Sequence, residues 1–441
     1  MKALKGFEGI RKSGLLGLSP FLVFLLFFLG GSLIGGSFTA VPVSIAFLVA
    51  AIYAVSITKG LSLPDRVRVF GRGAGKTKVM FMVWIFLVAG AFANSASAMG
   101  CIHETVNVIL KVLPSRFVYA SLFVAGCFIS LATGSGVGSI VAIGPIAVGV
   151  AEASGSSMPL VCAIVVCGAM FGDNLSFISD TTVVATSTQG CQLKDKFRVN
   201  LWMALPASLA AISYYLFIGT DLPPVEVAED INFIKIIPYI LVILLSVIGC
   251  DVLIVLCLGA LTCGILGMAT GSFDFFGWLA AMNDGIMGMS DLVIIIILAA
   301  GLMALIEHNG GMEYIIRIST KFIRGRRSAE GCIAILTGLV CACTANNTIA
   351  IMSVSSIVKE ISLKFGVDPR KAASLMDTGA CIVQEFIPYS AHLMTAAAFG
   401  RVAATDLVPY VYYAYALLFF LIVCVVFRLP RLKPMQVQNP E

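Results

Sequence analysis

Long apolar runs recur along the whole chain, and its charged residues gather between them. Runs such as 15–35, 79–100 and 250–270 have the roughly 17–25 residues a helix needs to cross a bilayer. In hydrocarbon the backbone must satisfy its own hydrogen bonds, so such runs fold as helices. Composition agrees: 59% of the 441 residues are hydrophobic and 12% are charged. A soluble domain carries about 25% charged residues. The chain therefore reads as an all-α polytopic membrane protein whose first partner is the lipid bilayer.

Lys2, Lys5, Arg11 and Lys12 precede the first run, and no small-residue cleavage site closes it. Segment 15–35 is expected to be a retained first helix, with the N-terminus inside. The net charge of +5 lies mostly in loops and ends, and no basic face is interleaved with aromatics. That pattern fits positive-inside topology and argues against a nucleic-acid partner. The 13 cysteines are scattered without a CxxC pair and read as small buried apolar residues. His103, His308 and His392 are too dispersed for a transition-metal centre.

The chain resembles itself at an offset of 211 residues. Ala89-Gly90 meets Ala300-Gly301, Thr133 meets Thr344, Gly168-Ala169 meets Gly379-Ala380, and Ser179 meets Ser390. Loop charges then set orientation. Segment 59–78 is basic, whereas its counterpart 270–291 holds Asp274, Asp284 and Asp291 with no Lys or Arg. Segments 312–330 and 359–371 are basic, and their counterparts in the first half are nearly neutral. Loop 191–198, with Lys194, Lys196 and Arg198, faces 402–409, with Asp406. By the positive-inside rule the halves are inverted, an architecture common among secondary transporters.

The expected organisation is a cytoplasmic N-terminus (1–14), a first membrane repeat (15–219), an external acidic linker (220–232), a second repeat (233–428) and a cytoplasmic tail (429–441). Each repeat is read as two opening helices, a third helix, a charge-free window, an interrupted helix (158–190; 370–400) and a closing helix (199–219; 407–428). The windows carry Thr133-Gly134-Ser135-Gly136-Val137-Gly138 and Thr344-Ala345-Asn346-Asn347-Thr348 near their middles. These are re-entrant hairpin tips or turns between full spans; both give the same loop sidedness.

Residues 172–182 (Gly-Asp-Asn-Leu-Ser-Phe-Ile-Ser-Asp-Thr-Thr) place two carboxylates within the first interrupted segment. Ionisable groups there are costly and mark function. Asp173-Asn174 aligns with Gln384-Glu385, so each half brings one carboxylate and one amide. Phe177 aligns with Pro388, whose ring breaks a helix. Unwound carbonyls beside carboxylates suit a hard cation such as Na+. Burial disfavours a charged carboxylate, so a proton can replace the bound cation. Asp173 is the preferred carrier and Glu385 its expected partner. Asp180 either joins them or caps the second half-helix. Thr133, Ser135, Asn346, Asn347 and Thr348 either contact the cargo or satisfy the kinks. Asp377 either forms a salt bridge or carries protons. His392 aligns with Thr181 and is expected to line the cavity.

Two motifs are decoys. Phe70-Gly-Arg-Gly-Ala-Gly75-Lys76-Thr77 lacks the first glycine of a P-loop and a preceding strand. It reads as a basic cytoplasmic loop, with no ATP as partner. His103-Glu104 lacks a second histidine at zinc-protease spacing. No nucleophile–base pair argues for an enzyme.

The stretch Gly172, Asp173, Ser176, Ser179, Asp180, Thr181 and Thr182 resembles the Gly-Asp-x-x-Ser-Pro-x-Ser-Asp-Thr-Thr signature of the NhaC family of Na+/H+ antiporters. Thr133-Gly134-Ser135-Gly136-Val137-Gly138-Ser139 resembles that family's Thr-Gly-Thr-Ser-Trp-Gly-Thr turn, with Val137 for the tryptophan. Phe177 replaces the signature proline. The resemblance implies a Na+/H+ antiporter of the cytoplasmic (inner) membrane that needs no cofactor and transports Na+ and H+ by alternating access. It also admits a Na+- or H+-coupled carrier of a small organic anion or amino acid, and a homodimer. On this reading Asp173 and Glu385 hold Na+, with Asn174, Ser176, Asp180 and Gln384 completing the cation or proton site. Thr133, Ser135, Ser179, Thr181, Asn346, Asn347, Thr348, Pro388 and His392 line the cavity.

Overall fold

The computed structural model describes residues 15–35, 40–112, 114–176, 179–221, 232–248, 250–321, 323–430 and 432. The first half holds α1 (Leu15–Leu25), α2 (Val43–Ile57), α3 (Leu63–Ala74), α4 (Thr77–Met99), α5 (Cys101–Val112), α6 (Val118–Thr133), α7 (Gly136–Ser154), α8 (Met158–Leu175), α9 (Asp180–Gln189) and α10 (Leu193–Ile218). The second holds α11 (Phe233–Ile248), α12 (Val252–Ala269), α13 (Phe275–Gly288), α14 (Ser290–His308), α15 (Gly311–Thr320), α16 (Arg326–Thr344), α17 (Asn347–Phe365), α18 (Pro369–Phe386), α19 (Ala391–Gly400) and α20 (Tyr412–Val426). Among the described residues, seven helical segments are long and apolar enough to cross a membrane. The bent pair Ala404–Tyr410 and Tyr412–Val426, kinked by 53°, makes an eighth. Large apolar side chains such as Phe128, Trp202, Ile254, Ile335 and Phe419 are exposed, as a lipid-facing surface requires.

The repeat is structural as well as textual. Helices α7, α8 and α9 begin and end at positions that recur in α17, α18 and α19 at the same offset. Packing is exchanged between the halves: α9 lies on α17 as α19 lies on α7, and α3 lies on α14 as α13 lies on α4. Both windows are helical hairpins (α6–α7 and α16–α17), and each first arm packs along the interrupted helix of its own half. The tips turn through left-handed residues, Gly134 at φ 64° and Ala345 at φ 52°. Ser135 and Asn346 then cap the second arms by accepting from the backbone N–H groups of Gly138 and Ile349.

Both interrupted helices open at matching places. Ser176 and Ser179 are extended after α8, and Ile387 and Ser390 are extended after α18. Pro388 lies in the second break, whereas its counterpart Phe177 lies outside the described residues. So do 1–14, most of the 220–232 linker and 433–441.

Several segments read as loops are helices. Segment 59–78 contains α3, capped by Ser62 and opened by Pro64. Gly73 serves packing: a Cβ there would stand 2.4 Å from Ala304 Cβ on α14. The counterpart contact, α13 on α4, brings Gly285 so near Gly90 that an added Cβ would meet its carbonyl oxygen at 2.0 Å. Helix α15 occupies a segment that also read as a charged loop, and α5 occupies its nearly neutral counterpart. Their charged residues lie on one face, as in helices that run along a surface. Segment 191–198 is the first turn of α10 rather than a loop, and Lys196 is buried within it.

Candidate functional site

The site forms where both helix breaks meet the first hairpin tip. Asp173 sits in the last turn of α8, buried. Its Oδ1 accepts from the backbone N–H of Gly136 at 3.1 Å, the N-terminus of α7. Ser179 Oγ donates to the same oxygen at 3.5 Å. Helix N-termini favour negative charge, so this position suits a carboxylate. Thr181 Oγ1 donates to the Asp173 carbonyl at 3.2 Å, tying the start of α9 to the end of α8 across the break.

The second half supplies His392, whose Nε2 stands 3.3 Å from Asp173 Oδ2. That contact is at ion-pair distance but is not aligned as a hydrogen bond, because Nε2 has no bonded partner. On the other side of the ring, Gln384 Nε2 lies 3.1 Å from His392 Nδ1. Gln384 Oε1 accepts from Cys341 Sγ at 3.2 Å, which fixes the amide so that Nε2 donates to the ring. Gln384 Nε2 also reaches the Ala345 carbonyl of the second hairpin tip at 3.4 Å. The residue aligned with Asp173, Gln384, is thus the one that reaches its site.

Glu385 makes its contacts elsewhere while staying within electrostatic reach of Asp173. It shares no described hydrogen bond with Asp173; Cys167 Sγ donates to its Oε2 at 3.5 Å, and its Oε1 is buried without a partner. Asn174, which aligns with Glu385, mirrors this contact by donating to Thr378, the residue aligned with Cys167, at 3.3 Å. The repeat turns Asp173 and Gln384 toward one locus, and Asn174 and Glu385 toward another pair of contacts.

Behind Asp173 lies a polar network in which the sequence had singled out only Asn174 and Asp377. Asn200 Nδ2 donates to Asn174 Oδ1 at 2.7 Å and to the Asn174 carbonyl at 2.8 Å. It also donates to Asp377 Oδ2 at 3.2 Å, and Asn200 Oδ1 accepts from Ser374 Oγ. Lys196 Nζ forms a buried ion pair with Asp377 at 2.6 Å. Asp377 is therefore salt-bridged, one of the two roles open to it. A polar residue four positions after Lys196 in an apolar context was the signal available for Asn200.

The remaining expected residues divide clearly. Ser176 Oγ donates to the Leu131 carbonyl at 3.0 Å, tying the break after α8 to the last turn of α6. Asp180 is exposed in the first turn of α9, where a carboxylate opposes the helix dipole favourably. Thr133 and Ser135 bond within their own tip. Asn347 Oδ1 accepts from the Thr348 N–H at 2.9 Å, and its Nδ2 is buried and unpartnered. Thr348 is buried, and Pro388 is half-buried in the second break.

A cavity of about 520 Å³ runs between α4 and α14 to the second tip and break. Lys76 and Glu307 stand at one end, with Nζ and Oε2 3.8 Å apart. Asn346, Tyr389 and Ala391 are at the other. Tyr389 is held there by its hydroxyl, which donates to the Ala342 carbonyl, and by edge contacts with Phe24 and Phe47.

Known proteins share sequence with the chain along most of its length. The chain is 24% identical over 420 residues to a malate-2H(+)/Na(+)-lactate antiporter of Bacillus subtilis, spanning 86% of this chain and 88% of the relative. It is 22% identical over 409 residues to the Na(+)/H(+) antiporter NhaC of Alkalihalophilus pseudofirmus, spanning 86% and 87%. Among solved structures, the YdaH transporter of Alcanivorax borkumensis superposes with a TM-score of 0.43 at 14% identity, over 93% of this chain and 99% of that one. The model of the Na+/H+ antiporter family matches residues 15–220 and 226–429, one block for each repeat. With nearly its whole length matched, the chain belongs to the Na+/H+ antiporter family.

Proposed function

We propose that this protein is a Na+/H+ antiporter of the cytoplasmic membrane, with both termini inside, and that Asp173 carries either a sodium ion or a proton. The observation that carries this reading is the buried Asp173 carboxylate, held between the α7 N-terminus of its own repeat and His392 of the other. Asp173 Oδ1 and Oδ2 with Ser179 Oγ offer the hard oxygen ligands that Na+ prefers. A proton on Asp173 removes the charge that holds the ion. One Na+ leaves as one proton arrives, and the carboxylate returns unchanged after the reverse step on the other face. Contacts from both repeats let motion of one against the other expose Asp173 alternately to each face.

The cavity between α4 and α14 reads as the vestibule on the side of the basic segments. Positive-inside charge then makes this conformation open toward the cytoplasm. Sodium binding to purified protein in weakly buffered solution tests the exchange. Na+ should release protons, and Asp173→Asn should abolish the release. Unchanged release from the variant would remove Asp173 from the mechanism.

The vestibule favours a second reading. Its volume far exceeds the needs of a bare cation, and residues such as Val79, Phe86, Leu292 and Met394 make its wall apolar. A small organic anion exchanged against Na+ or H+ fits that space, and a malate and lactate antiporter is among the relatives. Uptake of labelled lactate and malate into vesicles separates the readings: strict Na+/H+ exchange leaves both solutes outside.

A further inference from the structure

Lys196 is a lysine ammonium buried inside a membrane protein, and its surroundings resemble those of a bound ion. Three oxygens stand 2.6 Å from Nζ: the Asn174 carbonyl, Thr182 Oγ1 and Asp377 Oδ2. They come from the end of α8, the start of α9 and the middle of α18. The Asn174 carbonyl lies in the last turn of α8, where the break leaves carbonyls without intrahelical partners. It also lies at the negative end of the helix dipole. These are the oxygen types that coordinate a hard monovalent cation.

The repeat sharpens the contrast. The positions aligned with Lys196, Thr182 and Asp377 are Leu407, Leu393 and Val166, all fully buried. The cage, built from both halves, therefore has no counterpart related to it by the repeat. A buried ammonium needs an acceptor for each of its three hydrogens. Here two of the three are an unwound carbonyl and a hydroxyl on either side of the break that holds Asp173.

We propose that Lys196 is a tethered cation filling an oxygen cage that would otherwise bind a small monovalent cation. Lys196 thereby restricts the transported ion to Asp173. The cage is distinct from the Asp173 site, and only its consequence for transport rests on Asp173 being the carrier.

The test is built on Asp173→Asn, so that any sodium effect at Asp173 is absent. Unfolding midpoints of purified Asp173→Asn and Asp173→Asn/Lys196→Ala are measured in Na+, K+, methylammonium or N-methylglucamine. The double variant should show a midpoint that rises with the concentration of at least one small cation relative to N-methylglucamine, as a ligand bound only by the folded state requires. Asp173→Asn alone should show no such rise. Adding Asp377→Asn to the double variant should abolish it. A midpoint in the double variant that is independent of the cation overturns the proposal. So does a rise that survives Asp377→Asn. A double variant that cannot be recovered folded in any of the small cations also overturns it, because the cage should then be refilled.

Discussion

His392 Nε2 stands 3.3 Å from Asp173 Oδ2, and Gly136 lies against both. A Cβ on Gly136 would meet His392 Nε2 at 2.3 Å and Asp173 Oδ2 at 2.8 Å. The missing side chain is what lets a hairpin tip of one repeat touch an interrupted helix from each.

Gly136→Ala should therefore push the Asp173–His392 pair apart while leaving the helices intact. Displacement of about 1 Å at a reacting group can cost on the order of 100-fold in rate. Sodium-driven proton flux should fall by at least about 10-fold on that scale. Gly331→Ala, on α16 where an added Cβ meets nothing within 4 Å, should leave flux unchanged and serves as the control. Equal flux in both variants would contradict the packing argument.

Asn200 satisfies several buried groups at once, from Asn174 to Asp377. Asn200→Ala removes the partner of Asn174 Oδ1 and of Ser374 Oγ, at about 1–3 kcal/mol for each buried group left unsatisfied, while Lys196 still holds the Asn174 carbonyl and Asp377. The unfolding midpoint in detergent should drop by several degrees. An unchanged midpoint would show that the network is replaceable by water.

Parts of this network were legible in the sequence and parts were not. The constant offset located both breaks and both hairpin tips, because the same turn chemistry is written twice: Thr133-Gly134-Ser135 and Thr344-Ala345-Asn346. Asp173 stood out because a carboxylate in an apolar setting is costly and rarely kept without a use. Lys196 did not, because one of its partners is the Asn174 backbone carbonyl and another, Asp377, lies in the other repeat. Sequence spacing carries no trace of either. The pairing of Asp173 with Glu385 rested on adjacency in the alignment. Neighbouring helix positions point about 100° apart, so Gln384 reaches Asp173's site while Glu385 meets Cys167. Helices α3 and α15 were missed because charge was read as loop, whereas an amphipathic helix carries the same charges on one face.

Glu385→Gln should keep the fold, since the amide occupies the same space beside Cys167. Among the described contacts Glu385 shares no hydrogen-bond partner with Asp173 and reaches it only through charge. Sodium affinity and flux should fall by no more than about 10-fold, the loss of a coupling of about 1 kcal/mol. Loss of Na+ binding in this variant would restore Glu385 to the cation site.

Ala345 holds a left-handed conformation at φ 52° where Gly134 stands in the first tip. A non-glycine residue there costs roughly 1–2 kcal/mol, partly offset by the greater unfolded-state freedom of glycine. Ala345→Gly should raise the unfolding midpoint slightly, with a net gain of up to about 1 kcal/mol. A lower midpoint would mean that the Ala345 methyl group has packing worth more than the strain.

The most direct measurement reconstitutes the wild-type protein and Asp173→Asn in liposomes that enclose a pH-sensitive dye. An outward or inward Na+ gradient is imposed with no organic solute present. The wild type should move protons against the Na+ gradient in both directions, and Asp173→Asn should move none above protein-free liposomes. Undiminished Na+-driven proton movement by Asp173→Asn would contradict the assignment of Asp173 as the shared carrier.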